Sequence, residues 1–385
     1  MDSRETEAMA LATSGDLDDI LVVSVEQAVA APYASCRLAD AGARVIKIER
    51  PEGDFARGYD ADANGHSSYF VWLNRGKEAI CLDLKSQDDQ GLLAAMLAKA
   101  DVFIQNLMPG ALDRLGFSMA SLRRQYPRLI TCSISGYGSD GPLSSMKAYD
   151  FLVQAECGLA MITGSPAEAG RVGVSICDIA AGMTAHQAIL QALYARNRSG
   201  VGRSIEVSLF HALSDWMNVP YMQHHYGGKT IRRPGLHHPS IAPYGAYPCG
   251  DGSMILISIQ NEREWVKFCT AVLEQPETAT DPRFDSIIAR VENRTALDEM
   301  IIALFSRMNR DALAEKLRAA QIAYGRLNSL DDLGSHPQNR YISVQTSDGE
   351  LKLLAPGAII DGVLPRFGPV PAMDEHGSSL RREFG

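Results

Sequence analysis

Three short runs decide the fold: Ile20-Leu-Val-Val-Ser-Val25, Ala30-Ala-Pro-Tyr-Ala-Ser-Cys-Arg-Leu-Ala-Asp-Ala41 and Arg44-Val-Ile-Lys-Ile-Glu49. The first is apolar and β-branched, the pattern of a buried strand. The second is rich in small residues and long enough for a helix. The third is another strand, so the chain opens strand, helix, strand. Such a unit implies a parallel sheet and a doubly wound, Rossmann-like α/β architecture. The turn after the first strand reads Gln27-Ala-Val-Ala-Ala-Pro32 and lacks the glycine pattern that brings a backbone against a dinucleotide pyrophosphate. A nicotinamide cofactor is disfavoured on that ground, and no flavin is expected.

The alternation continues outward from that unit. Helices are predicted around 87–99, around 119–126 and from Tyr149, and strands over 101–105, 128–135 and 204–209. Residues 211–226 read as one amphipathic helix carrying Trp216. At Gly227 the composition shifts to a loop of glycine, proline and histidine that runs to Pro248, and a domain boundary falls there. A strand over 254–259 and charged amphipathic helices between 262 and 321 make a smaller α+β domain. The tail from Tyr341 alternates strand and turn signals and is expected to return to the first domain. The large domain is therefore residues 17–225 plus roughly 335–385, and the small one 226–334.

Composition bounds the function. The chain has 385 residues, 46% of them hydrophobic and 22% charged, enough for a large core and for two domains. A net charge of −9 argues against nucleic acid or an anionic membrane as the main partner. No apolar run approaches a membrane span, and the polar, acidic residues 1–19 resemble neither a signal nor a transit peptide and read as a loose tail. Seven scattered cysteines suggest reduced thiols in a cytoplasmic protein. No pair has zinc-ligand spacing, so no metal is expected.

One later stretch carries the chemistry. Val172-Gly-Val-Ser-Ile-Cys-Asp178 reads as an extended or strand segment, and an Ala/Leu-rich helix follows to Arg198. Asp178 stands at the junction. An Asp there either caps the helix by accepting backbone N–H bonds, or points into a cleft as a nucleophile kept ionised by the helix N-terminus. Local spacing does not choose between the two. Basic segments recur around successive strands, Lys47-Ile-Glu-Arg50 with Gly53-Asp-Phe-Ala-Arg57, Asn74-Arg-Gly-Lys77 and Pro109-Gly-Ala-Leu-Asp-Arg114, where ligands of open α/β sheets bind, and Arg and Lys there can clamp phosphates; ordinary surface salt bridges are the other reading. The nucleophile elbow of serine hydrolases and the P-loop are both absent. His237-His238 lack a third ligand at metal spacing, and His186 reads as a core histidine.

Taken together, the motifs resemble the class III CoA-transferases, the family of formyl-CoA transferase, carnitine CoA-transferase and α-methylacyl-CoA racemase. The resemblance rests on an ordered set over about residues 20–250. It comprises Leu38-Ala-Asp-Ala-Gly-Ala-Arg-Val-Ile-Lys-Ile-Glu-Arg-Pro51, Gly53-Asp-Phe-Ala-Arg57, Asn74-Arg-Gly-Lys77 with Leu82-Asp-Leu-Lys85, and Pro109-Gly-Ala-Leu-Asp-Arg-Leu-Gly116. Ser135-Gly-Tyr-Gly138, Cys177-Asp-Ile-Ala-Ala-Gly-Met183 and His238-Pro-Ser-Ile-Ala-Pro-Tyr244 complete it.

The resemblance implies that Asp178 is the catalytic aspartate and that Arg50, Lys77 and Arg114 contact the phosphates of coenzyme A. Ser135 stands where formyl-CoA transferase has a CoA-binding lysine. It also implies substrate positions at Val29 and Tyr149, and an interlocked homodimer. The segments look most like members that act on short dicarboxylic acids such as succinate, mesaconate, citramalate or malate. Arg232, Arg233, His237 and His238 offer groups to hold a distal carboxylate. The glycine-rich lid of formyl-CoA transferase is missing, which points away from formyl or oxalyl substrates. In the racemases a His precedes the Asp of the Lys147-Ala-Tyr-Asp150 segment. Here Tyr149 takes that place, and its ordinary pKa near 10 suits reversible proton transfer poorly. A 2-methylacyl-CoA racemase and a non-catalytic CoA-binding protein are the alternatives.

Overall fold

The structure, a computed structural model, describes residues 15–364 and 367–385; most of the acidic N-terminal stretch lies outside the described residues. The chain divides into two compact units. The first holds the described residues up to Leu159 with Val172–Met222 and Arg340–Gly385, and the second holds Ala160–Arg171 and Gln223–Asn339. Residues 160–171, which the sequence places in the large domain, cluster with the second unit instead.

The first unit is α/β. Its six strands are β1 (Leu21–Val25), β2 (Arg44–Glu49), β3 (Lys77–Cys81), β4 (Val102–Gln105), β5 (Ile130–Ser135) and β6 (Ser204–Ser208). All neighbours pair parallel, in the order β3-β2-β1-β4-β5-β6. Alternate residues feed two cores, as a sheet covered on both faces requires. Val22, Val45, Val102 and Ile130 face one core, shared with helices α1 (Ala30–Asp40) and the long Ile176–Ser199 helix. Val23, Ile46 and Phe103 face the other, with Leu93 and Leu97 of the Gln87–Lys99 helix and Leu380 and Phe384 of the C-terminal helix. This strand order reverses direction between β1 and β4, the place where such sheets open a crevice.

In chain order the other helices are α2 (Ser68–Asn74), α3 (Gln87–Lys99), α4 (Ala111–Arg114), α5 (Met119–Gln125), α6 (Asp150–Glu156), α7 (Ile176–Ser199) and α8 (Leu209–Trp216). Two expectations are corrected. Of the Val172–Asp178 run read as extended or strand, residues 172–175 are an irregular lead with no strand, and Ile176, Cys177 and Asp178 already belong to α7. The single amphipathic helix over 211–226 is two, Leu209–Trp216 and Asn218–His225. Pro220 has no N–H to give the carbonyl four residues back, so the helix restarts just before it.

The second unit packs helices on a three-stranded antiparallel sheet of β7 (Tyr244–Pro248), β8 (Met254–Ser258) and β9 (Ala323–Arg326), in the order β7-β8-β9. β7 lies in the stretch read as loop. It is an edge strand, where its Pro248 is tolerated. Trp265, Phe268, Phe284 and Phe305 fill the core beneath. Among the described residues no helix is long and apolar enough to cross a membrane.

Candidate active site

Asp178 is the third residue of α7, inside the first turn and not its cap. Ser175, at the cap position, makes no side-chain cap bond. The cap comes from elsewhere: Asp150, first residue of α6 and buried, accepts from the Cys177 N–H at 2.8 Å and the Asp178 N–H at 3.4 Å through Oδ1. Its Oδ2 accepts from the Gln154 side chain at 2.8 Å, and Gln154 Oε1 in turn accepts from the Val172 N–H at 2.9 Å. Asp150 reaches this place because the Gly136 turn folds tightly against Ala148; a side chain at 136 would put its Cβ 2.2 Å from that of Ala148.

The Asp178 carboxylate is left without a hydrogen bond or ion pair among the described residues. The expectation that the helix N-terminus keeps it readily ionised is reversed. Burial, and then the negative charge of Asp150, raise its pKa from the ordinary 3.8 to about 7.

Helix α1 sets what faces Asp178. The two helices pack side by side in the same sense. Gly182 meets the Ala30 carbonyl so closely that an added Cβ would stand 2.7 Å from it, and His186, one turn on, feels the charges of Arg37 and Asp40. One turn before Gly182, Asp178 is therefore level with the Ala28–Val29 entry of α1. The first N–H groups of a helix have no partner within it, so this entry offers donors. Ala28 holds a left-handed φ of 63°. Tyr59 also belongs to the neighbourhood: burial, then Asp54, Asp178 and Tyr149, push its pKa up to about 12. Tyr149 itself is 63% exposed. Val29 is buried at 3%, so its side chain is unavailable to a substrate and only its backbone is offered.

A buried ionic network holds that entry. Asp54 accepts from the Ala28 N–H at 3.2 Å and from Lys47 at 2.8 Å. Glu26 accepts from Lys77 at 2.7 Å and from the Ser24 and Ser35 hydroxyls at 2.6 Å each. Burial alone would raise the Glu26 pKa, but Lys77 and Lys47 bring it down to about 2. Asn106, just past β4, bonds both the N–H and the carbonyl of Gln27, at 2.9 and 2.8 Å, and so bridges the crevice between β1 and β4.

Lys77, expected at a phosphate of coenzyme A, lies inside this network. It is 3% exposed, and its three donors go to Glu26, the Pro32 carbonyl at 3.1 Å and Asn74 at 3.0 Å. The cations that do reach solvent are Arg50 and Arg114. Both line a cleft of about 510 Å³ at the carboxyl ends of β1 to β4, together with Lys85. Lys85 was missed as a candidate, although it closes the quoted Leu82-Asp-Leu-Lys85 motif. Ser135 lines a neighbouring cleft of about 690 Å³ with Ser133, Arg123 and Arg124; its hydroxyl accepts from the Gly138 N–H at 3.0 Å.

The remaining candidates belong to the second unit. Arg232, His237, His238 and Arg294 line a broad cavity of about 1100 Å³. Arg233 is committed to structure, with its guanidinium on the carbonyls of Met161, Ser165 and Pro166. His238 stacks on Tyr244, and burial and Arg294 lower its pKa. His237 packs edge-on against Tyr247, its Nδ1 4.0 Å from Asp298. Among the described residues no group of three or more His, Cys, Asp or Glu stands where it would hold a metal ion.

The first unit is thus a doubly wound α/β unit with an unpaired carboxylate beside a helix entry and cationic clefts at the ends of its strands. Residues 17–374 match the signature of CoA-transferase family III, and the chain belongs to that family of enzymes. Over 384 residues it is 35% identical to the acetyl-CoA:oxalate CoA-transferase of Acetobacter aceti, covering 98% of each chain. It is 32% identical to the succinyl-CoA:glutarate CoA-transferase of Mus musculus, over 84% of this chain and 74% of that one. A crystal structure of a CaiB/BaiF family protein from Brucella suis superposes with a TM-score of 0.83 at 33% identity, covering 97% of this chain and 100% of that one.

Proposed function

We propose that this enzyme moves coenzyme A between an acyl-CoA thioester and a short dicarboxylic acid, with Asp178 as the nucleophile. The observation that carries the reading is the carboxylate itself: partly buried, without a hydrogen bond or ion pair among the described residues, and on the turn of α7 just before Gly182, which packs on the Ala30 carbonyl of α1. A carboxylate raised to about 7 is more basic than an ordinary one and still ionises near neutrality.

The chemistry runs through covalent steps. The Asp178 carboxylate attacks the thioester carbonyl, the C–S bond breaks, and CoA thiolate leaves behind a mixed anhydride. The thiolate attacks the aspartyl carbonyl and expels the donor acid, giving an aspartyl-CoA thioester. The acceptor carboxylate attacks that thioester and the thiolate then attacks the acceptor's acyl carbon, restoring Asp178. Each addition puts negative charge on a carbonyl oxygen, which the Val29 and Ala30 N–H groups are suited to receive. Arg50, Arg114 and Lys85 supply the charge for the CoA phosphates. Ser135 contributes a hydroxyl in the adjoining cleft.

Succinyl-CoA:glutarate and succinyl-CoA–D-citramalate transferases among the relatives support a dicarboxylate, and the Arg232, His237 and His238 side chains lining the cavity of the second unit are groups suited to a carboxylate. The Acetobacter aceti relative adds oxalate to the acids to be tried. We read the working molecule as an interlocked homodimer. Exposed apolar side chains on α6 to α8, among them Phe151, Leu152, Met183, Tyr194 and Trp216, support a large covered surface.

The test is a panel of acyl-CoA donors and acid acceptors in deuterated water, read by mass spectrometry. Exchange of CoA between dicarboxylates, lost in D178A, is expected. Preference for long-chain or carnitine substrates removes the dicarboxylate reading, and deuterium at Cα of a 2-methylacyl-CoA points to a racemase.

A further inference from the structure

The second unit keeps a cationic cavity inside a chain whose net charge is −9. All the residues that line it belong to that unit. Lys229, Arg232, Arg233 and Arg294 face a single acid there, Glu292. Arg233 is tied to the carbonyls of Met161, Ser165 and Pro166. Arg294, first residue of the Arg294–Phe305 helix, is held at one end only: its Nη2 donates to the His238 and Ile241 carbonyls at 2.7 and 2.9 Å. Its Nη1 is buried without a hydrogen-bond partner, and no carboxylate pairs with the guanidinium among the described residues. A buried cationic donor without an acceptor is costly, and a bound ion or water is what ordinarily completes it.

His238 adds a second donor. It stacks on Tyr244, and burial and Arg294 both favour its neutral form. Its Nδ1 accepts from the Ser240 N–H at 3.1 Å, which puts the ring proton on Nε2. That N–H has no partner among the described residues. His237 differs: its Nδ1 lies against Gly245 and 4.0 Å from Asp298, turned to β7. Lys229 and Arg232 are exposed, and their side chains carry no bond among the described residues.

We propose that this cavity is a binding site for a small free dicarboxylic acid, with Arg294 as its inner anchor. One carboxylate is received by Arg294 Nη1 and His238 Nε2–H, and the other by Arg232 and Lys229 at the exposed rim. Ile162, Ile288 and Val291 supply apolar wall for the methylenes. The choice of a dicarboxylic acid rests on the acid substrate proposed above. The site itself does not depend on Asp178, which belongs to the other unit.

Calorimetric titration of the full-length enzyme with glutarate tests the site, with butyrate and inorganic phosphate as the one-carboxylate and non-carboxylate anions. D178A is expected to bind glutarate within about twofold of the wild type, whereas R294Q should bind it roughly tenfold to a hundredfold more weakly. R232A should bind it several-fold more weakly, butyrate should bind about tenfold more weakly than glutarate, and phosphate should not displace it. Because Arg294 also holds two carbonyls, R232A decides if R294Q does not fold. Glutarate held equally by the wild type and a folded R294Q overturns the proposal, as does an R232A of unchanged affinity where R294Q unfolds. So does butyrate or phosphate binding as tightly as glutarate, a wild type that binds no glutarate, or binding lost in D178A and kept in R294Q. Arg294-dependent glutarate binding by an enzyme that transfers CoA to no dicarboxylate would sink the substrate reading above and sustain the site.

Discussion

Asp178 shows what the fold costs itself to keep a nucleophile. A group whose folded pKa is raised stabilises the fold fully below its unfolded value and loses that contribution as pH rises through the folded one. For Asp178 the window runs from 3.8 to about 7. D178N, neutral throughout, should melt several degrees above the wild type at pH 8, and the gain should shrink almost to nothing at pH 4. Equal melting temperatures at pH 8 would mean that the carboxylate is better solvated than its surroundings indicate. The sequence alone left this residue as either cap or nucleophile. The deciding fact, a cap supplied by Asp150 from 28 residues upstream, is a tertiary contact that no local spacing carries.

At the level of elements, the three opening runs were legible because a buried parallel strand needs β-branched residues on both faces. β1, α1 and β2 fall within a residue or two of the expected bounds. Lys77 was not legible: as a residue after a loop it looks like Arg50 or Arg114, and only the meeting of β1, α1 and β3 shows that it is enclosed. The two kinds of cation predict different losses. K77M leaves Glu26 buried without its main partner, so it should destabilise the protein by about 3–5 kcal/mol and lower its melting temperature sharply. R114A should leave melting unchanged and raise KM for acyl-CoA by roughly tenfold to a hundredfold, the worth of a charge-assisted phosphate bond. Thermal melts and steady-state kinetics on the pair check both. A K77M protein of normal stability with only a raised KM would return Lys77 to the phosphates.

For the whole molecule, the composition shifts near residue 227, and the second unit takes up the chain at Gln223. The earlier 160–171 excursion gave no such mark, because its allegiance depends on long-range bonds such as those from Arg233 to Ser165 and Pro166. Assembly is the property least written in local patterns. Tyr149, Tyr194 and Trp216 are more than half exposed, and exposed aromatic side chains of this size are the material of a subunit interface when they form one patch. Sedimentation equilibrium should give twice the 41.8 kDa chain mass over the whole working concentration range. A stable, active monomer would contradict the interlocked dimer.

The central claim is that coenzyme A passes through a covalent adduct on Asp178. The most direct measurement is to mix the enzyme with a dicarboxylyl-CoA donor, quench it within the first turnovers, digest it and weigh the peptide that contains Asp178. The account predicts a CoA thioester on that peptide, converted to the hydroxamate by hydroxylamine and absent from D178A. Transfer by D178A, or an adduct on any other residue, would contradict it.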